Sequence, residues 1–195
     1  MAIQYLNARR IRGSSTGVLT PEFDEDFTGT DNWISRSVPT GSEGSANFDG
    51  SDDKVTLGGS ASDYNFLTTG FSVAFWLYPD ALSNNNTIFD NTNGSASANG
   101  LVIRFEDSEM KIRLMQGKSG GQNVSVLSDG NEMVLGEWQH LAFTYDGTTG
   151  RIYRNGSEIK NNSMTSHTGT ANAVPALGYS INGGDSAYNG KIQDF

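Results

Sequence analysis

The chain contains no cysteine and only 4 prolines among its 195 residues. Without cysteine there are no disulfides, no thiol nucleophile and no thiolate metal site. Charge is scarce as well: 18% of residues are charged, with 13 Lys and Arg against 22 Asp and Glu, for a formal charge of −9. An acidic surface repels phosphate backbones and anionic headgroups, so neither nucleic acid nor membrane insertion is expected. No apolar run approaches the roughly 18 residues of a membrane span. Met1 to Arg12 carry polar residues where a secretory signal holds an apolar core, so no signal peptide is visible. No P-loop pattern is present. With just 2 histidines, histidine-based acid–base chemistry has few candidates.

What is abundant is glycine, with 24 residues, and aromatic side chains, with 10 Phe, 7 Tyr and 3 Trp. Much of the rest is Asn, Ser and Thr. This mixture favours short strands and tight turns over helices, and the aromatics argue against disorder. A chain of this size forms one domain that can bury roughly 70% of the surface it exposes when unfolded. Residues 1–20, with Arg9, Arg10 and Arg12 ahead of a Gly/Ser/Thr stretch, read as an arm or linker, either a loose terminus or a docking arm. Residues 21–195 read as the domain.

From residue 46 the apolar period is two, not 3.6. Phe48, Val55 and Leu57 flank the turn-rich GSDDK and predict a first hairpin. In FSVAFWLYPD (71–80) both alternating sets are largely apolar, which predicts a central strand covered on each face, with Trp76 and Tyr78 packed in the interior. Trp138 reads the same way, and His140 reads as a packed structural histidine. LVIRF and MKIRLMQ predict an antiparallel pair: Leu101, Ile103, Phe105, Met110, Ile112 and Leu114 on one face, Arg104, Lys111 and Arg113 on the other. Asn155-Gly156 between alternating runs predicts a type I′ hairpin, because both central residues of that turn need positive φ. At least nine strands without a helical period predict an all-β, two-sheet antiparallel jelly-roll sandwich.

The ordered set NFDGSDDKVTLG, TTGFSVAFWLYPD, GEWQHLAFTYDGTTGRIYRNGSEI, ALGYS and NGKIQDF resembles the concanavalin A-like lectin/glucanase superfamily, and within it the laminin-G-like jelly-roll modules. The resemblance runs over about residues 46–195. It implies two curved antiparallel sheets and a last strand longer than the one ending at Phe195. Glycoside hydrolases of this superfamily carry E-x-D-x-(x)-E on one strand. Glu22–Asp26 and Glu106–Glu109 fail that pattern, so no catalytic residue is expected and the chain reads as no enzyme.

The resemblance implies recognition. Tyr78 and the outward stripe Arg104, Lys111 and Arg113 are the candidate glycan-binding residues, the stripe suiting a carboxylate or sulfate. Cross-strand pairing of the stripe with Glu106 and Glu109 is the structural alternative. Ca²⁺ is the one cofactor to consider. Asp24 and Asp26 open an EF-hand-like acidic turn that lacks its closing acid. The resemblance further implies Asp194 on the last strand and Asp90 with Asn91 at the sandwich rim. The expected function is a non-catalytic recognition or attachment module, a surface or decoration protein of a phage or related virus. Its partners would be glycan, cell-surface polysaccharide or neighbouring structural subunits, homo-oligomers included. The alternative is a carbohydrate-binding or adhesion module of a larger secreted prokaryotic protein. The expected location is the virion or the cell surface.

Overall fold

The computed structural model describes residues 44–64, 70–83, 85–92, 99–106, 111–117, 124–164, 171, 173–180 and 187–195. All of them belong to one compact unit, Val38–Phe195. The arm over 1–20 and the acidic segment holding Asp24 and Asp26 lie outside these residues.

Two antiparallel sheets of six strands face each other. The first sheet runs β1 (Ala46–Asp49), β12 (Asn189–Gln193), β3 (Phe71–Ala81), β8 (Gln139–Tyr145), β9 (Thr149–Arg154), β10 (Ser157–Ser163). The second runs β2 (Val55–Thr56), β11 (Ala176–Leu177), β4 (Thr87–Asp90), β5 (Gly100–Glu106), β6 (Lys111–Gly117), β7 (Val124–Leu127). The one helical element among the described residues is a 3₁₀ turn, Ala61–Tyr64. The expected all-β jelly-roll sandwich is the observed architecture.

Alternation builds the core. Phe75, Leu77, Leu141, Phe143 and Ile152 point inward from the first sheet, and Leu101, Ile103, Phe105, Ile112, Leu114 and Val126 from the second, all fully buried. Each such side chain contributes about 1.5–3 kcal/mol of burial. Phe195 joins the two layers: its ring stacks 5.3 Å from Phe75 of the first sheet and 5.6 Å from Phe89 of the second. The predicted β5–β6 pair forms in register, with Arg104 directly opposite Arg113 and Glu106 opposite Lys111. The Asn155-Gly156 turn has φ of 49° and 82°, as a type I′ turn requires.

The first hairpin does not form. Asp49 pairs with Asn189 in one sheet, whereas Val55 pairs with Leu177 in the other, so GSDDK crosses between sheets instead of closing a ladder. Asp53 Oδ2 accepts the Asp49 amide at 3.0 Å and Asp49 Oδ1 the Ser51 amide at 2.8 Å, which tightens that crossing. The central strand β3 is also covered on one face only. Phe75, Leu77 and Pro79 are buried, while Ser72 and Ala74 are exposed and Trp76 and Tyr78 half-buried on the outside.

Candidate functional site

The outer surface of the first sheet is aromatic. Trp76 on β3 lies opposite His140 on β8, and the two rings meet edge to face with centroids 5.3 Å apart. Two residues along β3, Tyr78 meets Trp138 edge to face at 5.5 Å. Pair separation along the strand is about 7 Å, twice the rise per residue. None of these four rings belongs to the buried core cluster, so the expectation of interior aromatics is corrected: alternation sends them to the face opposite Phe75 and Leu77. Burial lowers the pKa of His140, because its half-buried ring loses water that would solvate the cation.

Three contacts around residues 132–139 place Trp138 beside Tyr78. Buried Gln139 works as a backbone substitute, its Nε2 donating to Val134 O at 2.8 Å and its Oε1 accepting the Val134 amide at 3.1 Å. The Gly136 amide donates to Pro79 O at 2.8 Å, and Arg154 Nη1 donates to Glu132 O. Polar groups frame the rings. Lys191 Nζ stands 4.4 Å from the Tyr78 centroid and 3.2 Å from Asp80 Oδ2, so its charge is compensated locally. Asn47 pairs with Lys191 on β12, and Gln193 lies opposite Trp76. Ring edges with planar amides nearby are the parts that bind a sugar: its apolar C–H surface on the rings, its hydroxyls on the polar frame.

The outer face of the second sheet is charged. Arg104 Nε and Nη2 both donate to Glu106 Oε1, at 2.9 and 2.6 Å, and Arg113 Nη1 reaches the same oxygen at 3.0 Å. Lys111 stands on the same face, half-buried, opposite Glu106. Of the four residues expected to bind glycan, the fold therefore brings together Arg104, Lys111 and Arg113 and sets Tyr78 on the other sheet. Glu106 and Glu109 were the expected cross-strand partners: Glu106 meets Arg113 across the ladder and Arg104 within β5, and Glu109 lies outside the described residues.

Of the candidate metal ligands, Asp24 and Asp26 lie outside the described residues, Asp90 and Asn91 stand at the end of β4, and Asp194 follows β12. Asp90 is 1% exposed; its Oδ1 accepts the Thr92 amide and hydroxyl at 2.7 and 2.6 Å, and its Oδ2 the Ser180 hydroxyl at 2.9 Å. Asn91 is equally enclosed, Oδ1 accepting the Leu101 amide at 2.6 Å and Nδ2 donating to Tyr64 O at 3.4 Å. These side chains latch the rim of the sandwich. Asp194 is exposed at a φ of 56°, just past β12. Asp49, Asp52 and Asp53, outside every sequence motif above that points to a metal, bring carboxylates within 4.8 Å of one another, all exposed at the end of β1 and in the crossing that follows. Adjacent acids in GSDDK were the signal for this cluster.

A family model described as the concanavalin A-like lectin/glucanases superfamily matches residues 49–195. The chain belongs to that superfamily. No curated protein matches it significantly. Among solved structures, this jelly roll is similar to domain 4 of AbnA, a GH43 extracellular arabinanase from Geobacillus stearothermophilus, in complex with arabinotriose. Identity is 26%, TM-score 0.53, with 76% of this chain and 67% of that chain covered. Domains LG4-5 of the mouse laminin alpha1 chain align with a TM-score of 0.54 at 12% identity, covering 77% of this chain and 39% of that one. The binding domain of botulinum neurotoxin DC, in complex with SialylT, aligns at 0.54 and 16% identity, covering 75% and 36%. At such identities the last two share the fold alone, and it is the laminin-G-like jelly roll.

Proposed function

We propose that this protein is a non-catalytic glycan-recognition module that binds neutral oligosaccharide on the outer face of its first sheet. One observation carries the reading: the paired rings Trp76–His140 and Tyr78–Trp138 lie outside the core on a sheet face framed by Asn47, Gln193 and a charge-compensated Lys191. Domain 4 of the arabinanase, the nearest in sequence of the structures compared above, carries arabinotriose, which supports a sugar ligand for this jelly roll. No acid–base pair for glycoside hydrolysis is assigned, and Glu106 is taken up by two guanidinium groups.

A glycan array that includes arabinotriose tests the reading. The parent protein binds neutral oligosaccharides; Tyr78→Ala and Trp138→Ala each weaken binding by about tenfold, because a lost ring removes both contact area and stacking. Binding that survives both substitutions refutes this face.

The surface that displays the module belongs to the same proposal. Absence of cysteine and the basic stretch at Arg9, Arg10 and Arg12 support a decoration protein of a phage or related virus, docked on neighbouring subunits. Similarity to one domain of an extracellular arabinanase favours a second reading, a module of a larger secreted prokaryotic protein. Adjacent capsid or tail genes support the first; an attached enzyme in the same reading frame supports the second. A protein that binds no glycan but forms an oligomer through residues 1–20 would instead be a structural subunit.

A further inference from the structure

We propose that the outer face of β5 and β6 is a second, separate site, in which Arg104 and Arg113 take the carboxylate or sulfate of an acidic glycan and Glu106 occupies that position in the free protein. The arrangement is costly if it serves the fold alone. Arg104 and Arg113 stand directly opposite one another across the ladder, where like charges destabilise an antiparallel pair. Both guanidinium groups converge on a single carboxylate oxygen, Glu106 Oε1, at 2.6 and 3.0 Å. The three side chains are 15%, 16% and 25% exposed for Arg104, Glu106 and Arg113, so the cluster is partly desolvated yet open to solvent. There a charge-assisted contact counts for more than on a free surface.

Arg113 adds a second observation. Its Nε is buried and has no acceptor, although buried donors are almost always satisfied. A guanidinium presents its donors as a fork that matches a planar or tetrahedral oxyanion at two points. Glu106, shared with Arg104, satisfies one tine of the Arg113 fork. An oxyanion that displaces Glu106 from Nη1 can meet Nη1 and Nη2 together, end-on. Glu106 is thus a resident competitor: it keeps two opposed arginines compatible with the fold when no ligand is bound, and it sets the affinity a ligand must exceed. A protein of net charge −9 needs such a local cluster if it is to hold an acidic sugar at all. This site goes beyond the aromatic face and does not depend on it.

Calorimetric titration with a heparin-derived hexasaccharide and with a polyuronate, each at low and high salt, tests the proposal. The full chain binds the acidic probes and loses affinity as salt rises, since exposed charges are screened within about 8 Å at physiological ionic strength. Arg113→Lys, which keeps the charge and the stem but not the fork, weakens binding by about tenfold. Glu106→Gln, by removing the competitor, strengthens it several-fold. A melting curve for each variant verifies the fold, and binding of the neutral array ligand, unchanged in Arg113→Lys, separates this site from the aromatic face. Acidic probes that fail to bind both the parent and Glu106→Gln overturn the proposal. So does acidic-probe binding that Arg113→Lys leaves untouched, or that Glu106→Gln weakens in a protein that still melts as the parent does.

Discussion

The two outer faces of this sandwich grow from the same rule and carry opposite chemistry. On β3 and β8 the inward residues are Phe75, Leu77, Leu141 and Phe143; on β5 and β6 they are Leu101, Ile103, Phe105, Ile112 and Leu114, every one fully buried. The inner sets are interchangeable in kind, because packing asks for apolar volume and little else. The outer sets are not. One holds Trp76, Tyr78 and His140, with Lys191 neutralised by Asp80; the other holds Arg104, Arg113 and Lys111 around Glu106. Specific chemistry sits where packing leaves the choice of residue open, and the two faces carry unlike chemistry.

The contrast between inner and outer residues is broken most easily on β3, where neighbours in sequence face opposite ways. Phe75→Ala should cost about 3–5 kcal/mol in urea unfolding, the usual loss for a buried Phe. Trp76→Ala should cost about 1 kcal/mol, mostly its edge contact with His140. Equal losses would mean that the outer face is a second core, not a binding surface.

Next in size is the rim latch. Asp90→Ala strands the Thr92 and Ser180 donors in a buried place, which should cost about 1–3 kcal/mol by the same measurement. Glycan binding on the first sheet should persist in this variant at temperatures where it remains folded. Calcium added to the parent should not raise the stability that Asp90 supplies, since protein donors already engage its oxygens.

The smallest effect sharpens the difference between an exposed ion pair and the half-buried cluster of the second sheet. Asp146 sits in the β8–β9 turn, where Arg151 Nη1 at 2.7 Å, the Thr149 amide at 2.8 Å and the Thr148 hydroxyl and amide hold its carboxyl well below the ordinary carboxylate range. A depressed folded-state pKa contributes stability that is present above the unfolded value near about 4 and lost as pH falls through the folded one. The melting temperature of Asp146→Asn should therefore trail the parent most above about pH 5, and the gap should close on acidification. A gap that widens in acid would contradict the assignment.

How much of this was legible in the sequence depends on whether the partner is near or far along the chain. The β5–β6 pair and the Asn155-Gly156 hairpin follow from local alternation and turn chemistry, and both are present. The GSDDK hairpin fails because Asp49 and Val55 find partners at Asn189 and Leu177, more than a hundred residues away, and no local pattern encodes that choice. Alternation in FSVAFWLYPD announces two faces but not which one is covered; only the pairing of β3 with β8 and β12 turns Phe75 inward and Trp76 outward. The charged stripe was readable residue by residue, including Glu106 as partner. Tyr78 could not be placed on the opposite sheet without the sheet order.

Sugar held on the aromatic face of the first sheet would perturb the side chains of that face and leave the second sheet untouched. The most direct measurement is a two-dimensional NMR titration of the labelled 20.9 kDa protein with a neutral oligosaccharide selected on the array. Saturable shifts are expected in the indole N–H signals of Trp76 and Trp138 and in the amides of Tyr78 and Lys191, while the Nε–H signals of Arg104 and Arg113 stay in place. Saturable binding that leaves Trp76, Tyr78 and Trp138 unmoved would contradict a site on that face.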